Sequence, residues 1–195
     1  MNYSDIKYCD TANGLGVRTS LFVSGCRRHC KDCFNECTWS FGYGSPFDEK
    51  VQQEVLDSLA PAYVNGLTLL GGEPFEPENQ RALLPFLRKV RERFPDKSIW
   101  AFSGDTWEEI RDGAGGGELA PHLPEGHARC EETDELLSLI DILVDGPFIL
   151  EQRDLMLRFR GSRNQRILDV PASLRAGRPV EAELPYDRFG RSVEE

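Results

Sequence analysis

At 195 residues with a formal net charge of −10, the chain fits one domain with room for a substantial core. The acidic balance argues against nucleic acid or anionic membranes as partners, and no apolar run approaches the roughly 20 residues of a membrane span. The first residues, Met1 to Asp5, show neither the basic nor the apolar part of an export signal, so the six cysteines are expected to do metal or redox work in the cytoplasm.

Residues 17–24 are β-branched and apolar and read as a first strand ending at Gly25. Directly after it comes Cys26-Arg27-Arg28-His29-Cys30-Lys31-Asp32-Cys33, a C-x3-C-x2-C run without a fourth cysteine at a matching short interval. Iron–sulfur clusters usually take four thiolates. Three thiolates on a four-iron cluster would leave one iron open, and open metal positions are where substrates bind. Structural zinc or unligated thiols are the alternatives, with Cys9, Cys37 and Cys130 as further thiols that share no paired spacing.

Ser45-Pro46-Phe47-Asp48 resembles a capping box with proline at the first helical position, followed by Val51, Val55 and Leu59 on one helical face. Residues 66–70 form a second strand that ends at Gly71-Gly72-Glu73-Pro74. Two glycines there would let backbone approach a ligand, and the carboxylate could accept from an ammonium group. An ordinary strand-to-helix turn is the plainer reading. Residues 77–94 read as helix, with Pro85 expected to kink or restart it.

A third strand over 98–102 ends at Ser103-Gly104, and a short helix follows over 105–111. The glycine- and proline-rich stretch 112–127 reads as a surface loop, and 134–139 as another short helix. A fourth strand over 140–144 ends at Asp145-Gly146, and 166–170 make a fifth. Ser103 and Asp145, at strand ends, could point into a pocket or merely cap. Histidines 29, 122 and 127 sit in no catalytic-triad pattern, and the polar tail 171–195 is expected to wrap the surface or fray.

Strands alternating with helices imply an α/β fold with a largely parallel sheet, a single-domain partial (β/α) barrel of about five or six parallel strands over residues 1–170. In such barrels chemistry gathers at the carboxyl ends of the strands. Both the cysteine loop and Gly71-Gly72-Glu73 fall there.

Together these two motifs resemble the radical S-adenosylmethionine (SAM) superfamily. Further segments are similar to the activating proteins of anaerobic ribonucleoside-triphosphate reductases: residues 13–26, Cys33-Phe34-Asn35 with Thr38-Trp39, Val144-Asp145-Gly146-Pro147-Phe148, and residues 158–166. The resemblance implies one [4Fe-4S] cluster held by Cys26, Cys30 and Cys33. It implies SAM bound by Gly71, Gly72 and Glu73, with Asp32 and Phe34 flanking the last ligand near adenine, and Ser103 and Asp145 as further candidates. Many superfamily members carry an aromatic residue where Asp32 stands, so stacking would fall to Phe34, and Leu15 replaces a frequent proline. The implied reaction is reductive cleavage of SAM to a 5′-deoxyadenosyl radical that forms a glycyl radical on the large reductase subunit. The electron would come from a flavodoxin- or ferredoxin-like donor. An activator of another glycyl-radical enzyme of the pyruvate formate-lyase type, or a non-catalytic electron-transfer or zinc module, remains as the competing reading.

Arginines 153, 158, 160, 163 and 166 form a basic segment in an acidic chain. A solvated face with local ion pairs accounts for most of them, with Arg160 and Arg163 retained as partner contacts.

Overall fold

The computed structural model describes residues 1–185. One seven-stranded sheet organises the chain, built from β1 (Asn2–Asp10), β2 (Val17–Val23), β3 (Ser45–Pro46), β4 (Val64–Gly71), β5 (Ser98–Phe102), β6 (Ile142–Asp145) and β7 (Arg166–Asp169). Its strand order is β3-β1-β2-β4-β5-β6-β7. The central strands β2, β4, β5 and β6 run parallel, whereas β1, β3 and β7 pair antiparallel at the two sides.

The parallel set is therefore four strands, fewer than the five or six the alternation suggests. The expected fifth strand exists as β7 but reverses, because residues 147–165 return the chain without a crossover helix. The sequence reading omits β1 altogether. Its pairing with β2 shifts between Tyr3 and Asp5 and again between Lys7 and Asp10, so apolar and polar residues fall out of step.

Helices α1 (Glu49–Leu59), α2 (Pro77–Arg93), α3 (Trp107–Asp112), α4 (Thr133–Ser138) and α5 (Val170–Ala176) complete the fold. Asp48, not Ser45, caps α1, its carboxylate accepting from Val51 N at 3.0 Å. Ser45 and Pro46 instead pair with β1. Helix α2 runs through Pro85 to Arg93, with Leu83, Leu84, Phe86, Leu87 and Val90 all buried around the proline. That apolar face offsets the lost hydrogen bond. The core also takes Val55 and Leu59 of α1, Leu67 and Leu69 of β4, and Ile99 and Ala101 of β5.

The 112–127 stretch is irregular apart from one 3-10 turn at Gly117–Leu119, yet it buries Ala120 and Leu123. Beyond β7, α5 docks through buried Val170 and Ser173, and Ala182 N donates to Ile167 O at 2.8 Å. The expectation for the tail beyond residue 185 lies outside the described residues. Among those described, no helix is long and apolar enough to cross a membrane.

Candidate active site

All four parallel strands end on one cleft of about 400 Å³. Its lining includes the residues that follow them: Cys26 after β2, Gly72 and Glu73 after β4, Ser103 and Gly104 after β5, Gly146 and Phe148 after β6. This is where open α/β sheets place their ligands.

The cysteine loop leaves β2 through Gly25, where a φ of +101° and the Phe41 ring 2.3 Å from a would-be Cβ make any other residue strained. Gly25 N donates to Thr38 O at 2.7 Å, and Gly25 O accepts from Glu73 N at 2.8 Å, so the loop is tied to the end of β4. His29 and Asp32 then take left-handed φ values of 49° and 59°, folding the run into a compact loop.

Cys26, Cys30 and Cys33 all line the cleft. Asn35 N donates to Cys33 Sγ at 3.4 Å, and the backbone N–H groups of Arg28 and His29 lie near Cys26 and that of Phe148 near Cys30. Burial, aided by the Glu73 carboxylate, pushes the Cys26 thiol far up, and burial also raises Cys30. Burial thus favours the neutral thiols, and a bound metal would supply the positive charge that thiolates need at these positions.

Beside the cysteine loop, Gly71 and Gly72 line the cleft, and local packing also requires glycine at both. A Cβ on Gly71 (φ +111°) would lie 2.8 Å from Phe22 Cα, and one on Gly72 would lie 2.6 Å from Gly25 O. Backbone of β2 and the cysteine loop fills that space. Glu73 is buried, with Oε1 accepting from Phe75 N and Ser103 Oγ, both at 2.9 Å, and Oε2 from Gly104 N at 2.8 Å. A carboxylate offers about four accepting positions, so one remains on Oε2. Burial and the nearby Asp105 raise this carboxyl well above the usual range.

Beneath the cysteine loop lies an ion network that the sequence reading misses. Arg28, between two of the cysteines, is 4% exposed and lines the cleft. Its guanidinium meets Asp105 at 2.7 Å and also donates to Glu109. His127 completes the group, with Nε2 3.0 Å from Asp105 and Nδ1 2.9 Å from Pro124 O. Both its partners are acceptors, which favours the imidazolium, and Asp105 accordingly raises the histidine while arginine and histidine together hold Asp105 low. Asp105, Glu109 and His127 converge closely enough to hold a metal, but the cation they hold is the Arg28 guanidinium.

Of the remaining sequence candidates, Ser103 lines the cleft, and Phe34 does so while 89% exposed. Asp32 is exposed and outside the lining. Asp145 also stands outside it: its buried carboxylate accepts from Trp107 N at 2.7 Å and pairs with Arg166 at 2.6 Å. Capping, the alternative for Asp145, is what this geometry performs. Cys9, Cys37 and Cys130 lie off the cleft. Arg160 lines it and donates to Gln165 O at 2.8 Å, whereas Arg163 pairs with Asp154. Trp39, Phe148 and Phe159 also line the cleft and were missed. A run of aromatic residues near cysteines carries no ligand signal until the chain is folded.

The cleft at the carboxyl edge of the parallel strands thus gathers three free cysteines with Glu73, and the comparisons with known proteins give the class of protein. The sequence profile of a 4Fe-4S single cluster domain matches residues 12–168. A protein of Pasteurella multocida (strain Pm70), 39% identical over 169 residues (86% of this chain and 96% of that one), is an anaerobic ribonucleoside-triphosphate reductase-activating protein. Proteins of the same designation from Enterobacteria phage T4 and Escherichia coli (strain K12) are 34% and 32% identical, covering 93% and 96% of their own lengths and 86% and 85% of this chain. The chain belongs to the family of anaerobic ribonucleoside-triphosphate reductase-activating proteins.

Proposed function

We propose that this chain activates an anaerobic ribonucleoside-triphosphate reductase by reductive cleavage of SAM at a [4Fe-4S] cluster. The observation that carries the reading is the set of three cysteines that share with Glu73 one cleft at the ends of four parallel strands. When bound, the reduced cluster supplies an electron that splits SAM into methionine and a 5′-deoxyadenosyl radical, which takes a hydrogen from a glycine Cα of the large reductase subunit.

The chain's own residues position and shield. Cys26, Cys30 and Cys33 hold the cluster, and the spare position on Glu73 Oε2 receives the amino group of SAM beside Gly71 and Gly72. Ser103 keeps the Glu73 carboxylate aimed, and Phe34 offers its ring to adenine. Asp32 reverses the loop next to Cys33. Asp145 acts at a distance, fixing Arg166 and the start of α3. Phe148 and Phe159 present apolar walls that keep water from a reactive radical. The sheet is read as a partial (β/α) barrel of radical SAM type over residues 1–170, with 171–195 as an appended tail. A flavodoxin- or ferredoxin-like protein in the cytoplasm supplies the electron.

Anaerobic reconstitution with iron and sulfide tests this reading. The account expects a four-iron cluster whose EPR spectrum changes on adding SAM, with methionine and 5′-deoxyadenosine formed on reduction. Stoichiometric zinc with no response to SAM would overturn it.

A further inference from the structure

A glycine Cα offers a partner-reading enzyme no side chain, so recognition of the target has to fall on flanking residues outside the cleft. A specific interface covers about 800 Å² per partner, far more than a cleft of this size presents. The loop between β6 and β7 has the surface to provide it. Residues 150–166 carry five arginines against Glu151 and Asp154, a formal +3 in a chain of −10. Within this loop Leu155 is 82% exposed, Met156 63% and Leu150 42%. Their neighbours Leu157 and Phe159 turn inward to line the cleft, so the exposed apolar tip is continuous with the cleft wall.

The loop is also tied down. Arg153 and Ser162 form an antiparallel bridge, Asp154 N donates to Gly161 O at 3.2 Å, and Arg163 N donates to Gln152 O at 3.0 Å. Asp154 holds Met156 N at 3.0 Å and the Arg163 side chain, and Phe159 packs edge-on against Trp100 at 5.4 Å. Large apolar side chains held out in water on a fixed loop mark an interaction surface and carry a reduced ordering cost on binding.

We infer that Leu155 and Met156, with Leu150 and the exposed Arg153 alongside, form the docking ridge for the reductase, receiving an extended segment that bears apolar and carboxylate side chains and leads the target glycine into the cleft. The inference rests on the activation reading above. Its charge complementarity belongs to the whole loop: with Arg166 set on Asp145 and Glu108, residues 150–165 still carry four arginines against Glu151 and Asp154 on an otherwise acidic molecule, so an acidic partner segment is drawn to this side.

The test compares the reconstituted wild-type protein with a Leu155→Asp/Met156→Asp double variant and with Arg153→Glu. The probe is the purified reductase of the same organism. Three readouts are taken: SAM cleavage without reductase under dithionite, affinity for the reductase, and glycyl-radical yield. For the double variant, uncoupled cleavage is expected to stay at the wild-type rate while affinity and radical yield fall at least about tenfold. Arg153→Glu is expected to weaken binding severalfold and to flatten its salt dependence. Unchanged affinity and radical yield in the double variant overturn the ridge. So does parallel loss of uncoupled cleavage, which would make the tip part of the cleft. Wild-type self-association that the variant abolishes, with reductase binding intact, assigns the ridge to a second copy and overturns the proposal. A wild-type protein that binds the reductase through the ridge yet yields no radical overturns the activation reading alone; one that binds no reductase overturns both.

Discussion

Two irregular segments close the cleft from opposite sides, and they are built on opposite logic. The cysteine loop is locked to the sheet by backbone bonds at Gly25 and braced from below by a buried arginine with two carboxylates. Its outward side chains matter little beside the three sulfurs. The 147–165 loop carries no cysteine, is braced by the partly exposed Arg166 on Asp145, and lines the cleft with Phe148, Leu157 and Phe159 while holding Leu155 and Met156 out to solvent. On the proposed reading the first loop serves the cofactor and the tip of the second serves the partner, so the tip can be damaged without the cysteine loop.

The largest separation comes from Cys30→Ala. Iron content should fall sharply and SAM cleavage should drop to background, while the circular dichroism spectrum of the apoprotein stays native. Cleavage that persists at a substantial rate in that variant contradicts the ligand assignment.

Bracing gives the next largest effect. Arg28→Met leaves buried Asp105 with His127 and buried Glu109 with the Thr106 N–H but without their shared guanidinium, and urea unfolding of the apoprotein should show a loss of about 3 kcal/mol. The matching variant on the other side, Arg166→Met, should cost less, about 2 kcal/mol. Asp145 keeps its bond from Trp107 N there, and the arginine removed is partly exposed. Equal losses at both arginines would erase the proposed difference between the two braces.

How much of this is legible in the chain follows from the same contrast. Ligand spacing is a local property, so C-x3-C-x2-C and Gly71-Gly72-Glu73 stand out before any folding is known. Strand 98–102 is legible to the residue because its apolar run is uninterrupted, whereas β1 is hidden by its two register shifts. The Arg28 brace joins residues 77 and 81 positions apart, a separation that no periodicity records. The glycines at 71 and 72 were visible, but not that neighbouring backbone of β2 and the cysteine loop also requires them. Exposure of Leu155 and Met156 is likewise a property of the fold alone.

A pH series sharpens the view of the brace. Asp105 raises the His127 pKa in the folded state above its unfolded value near 6.5. The histidine's contribution to stability is therefore fully present below about pH 6.5 and is lost as pH rises through the raised value. Chemical denaturation of wild type against His127→Gln should show the gap between the two narrowing over that interval. A gap that widens with rising pH would mean that the imidazole is neutral beside Asp105.

The smallest effect is expected at the cysteines that the cleft does not use. Cys9→Ser and Cys37→Ser alter exposed thiols outside the lining, so iron content and cleavage should match wild type within error. A substantial loss of iron in Cys37→Ser would make the cluster loop longer than the three-cysteine run.

The most direct measurement is EPR of the reduced, SAM-loaded protein mixed anaerobically with its cognate reductase. The account predicts a glycyl-radical doublet on the reductase, absent without SAM and absent with Cys30→Ala. No doublet from a protein that carries its four-iron cluster and cleaves SAM would contradict activation of the reductase as its function.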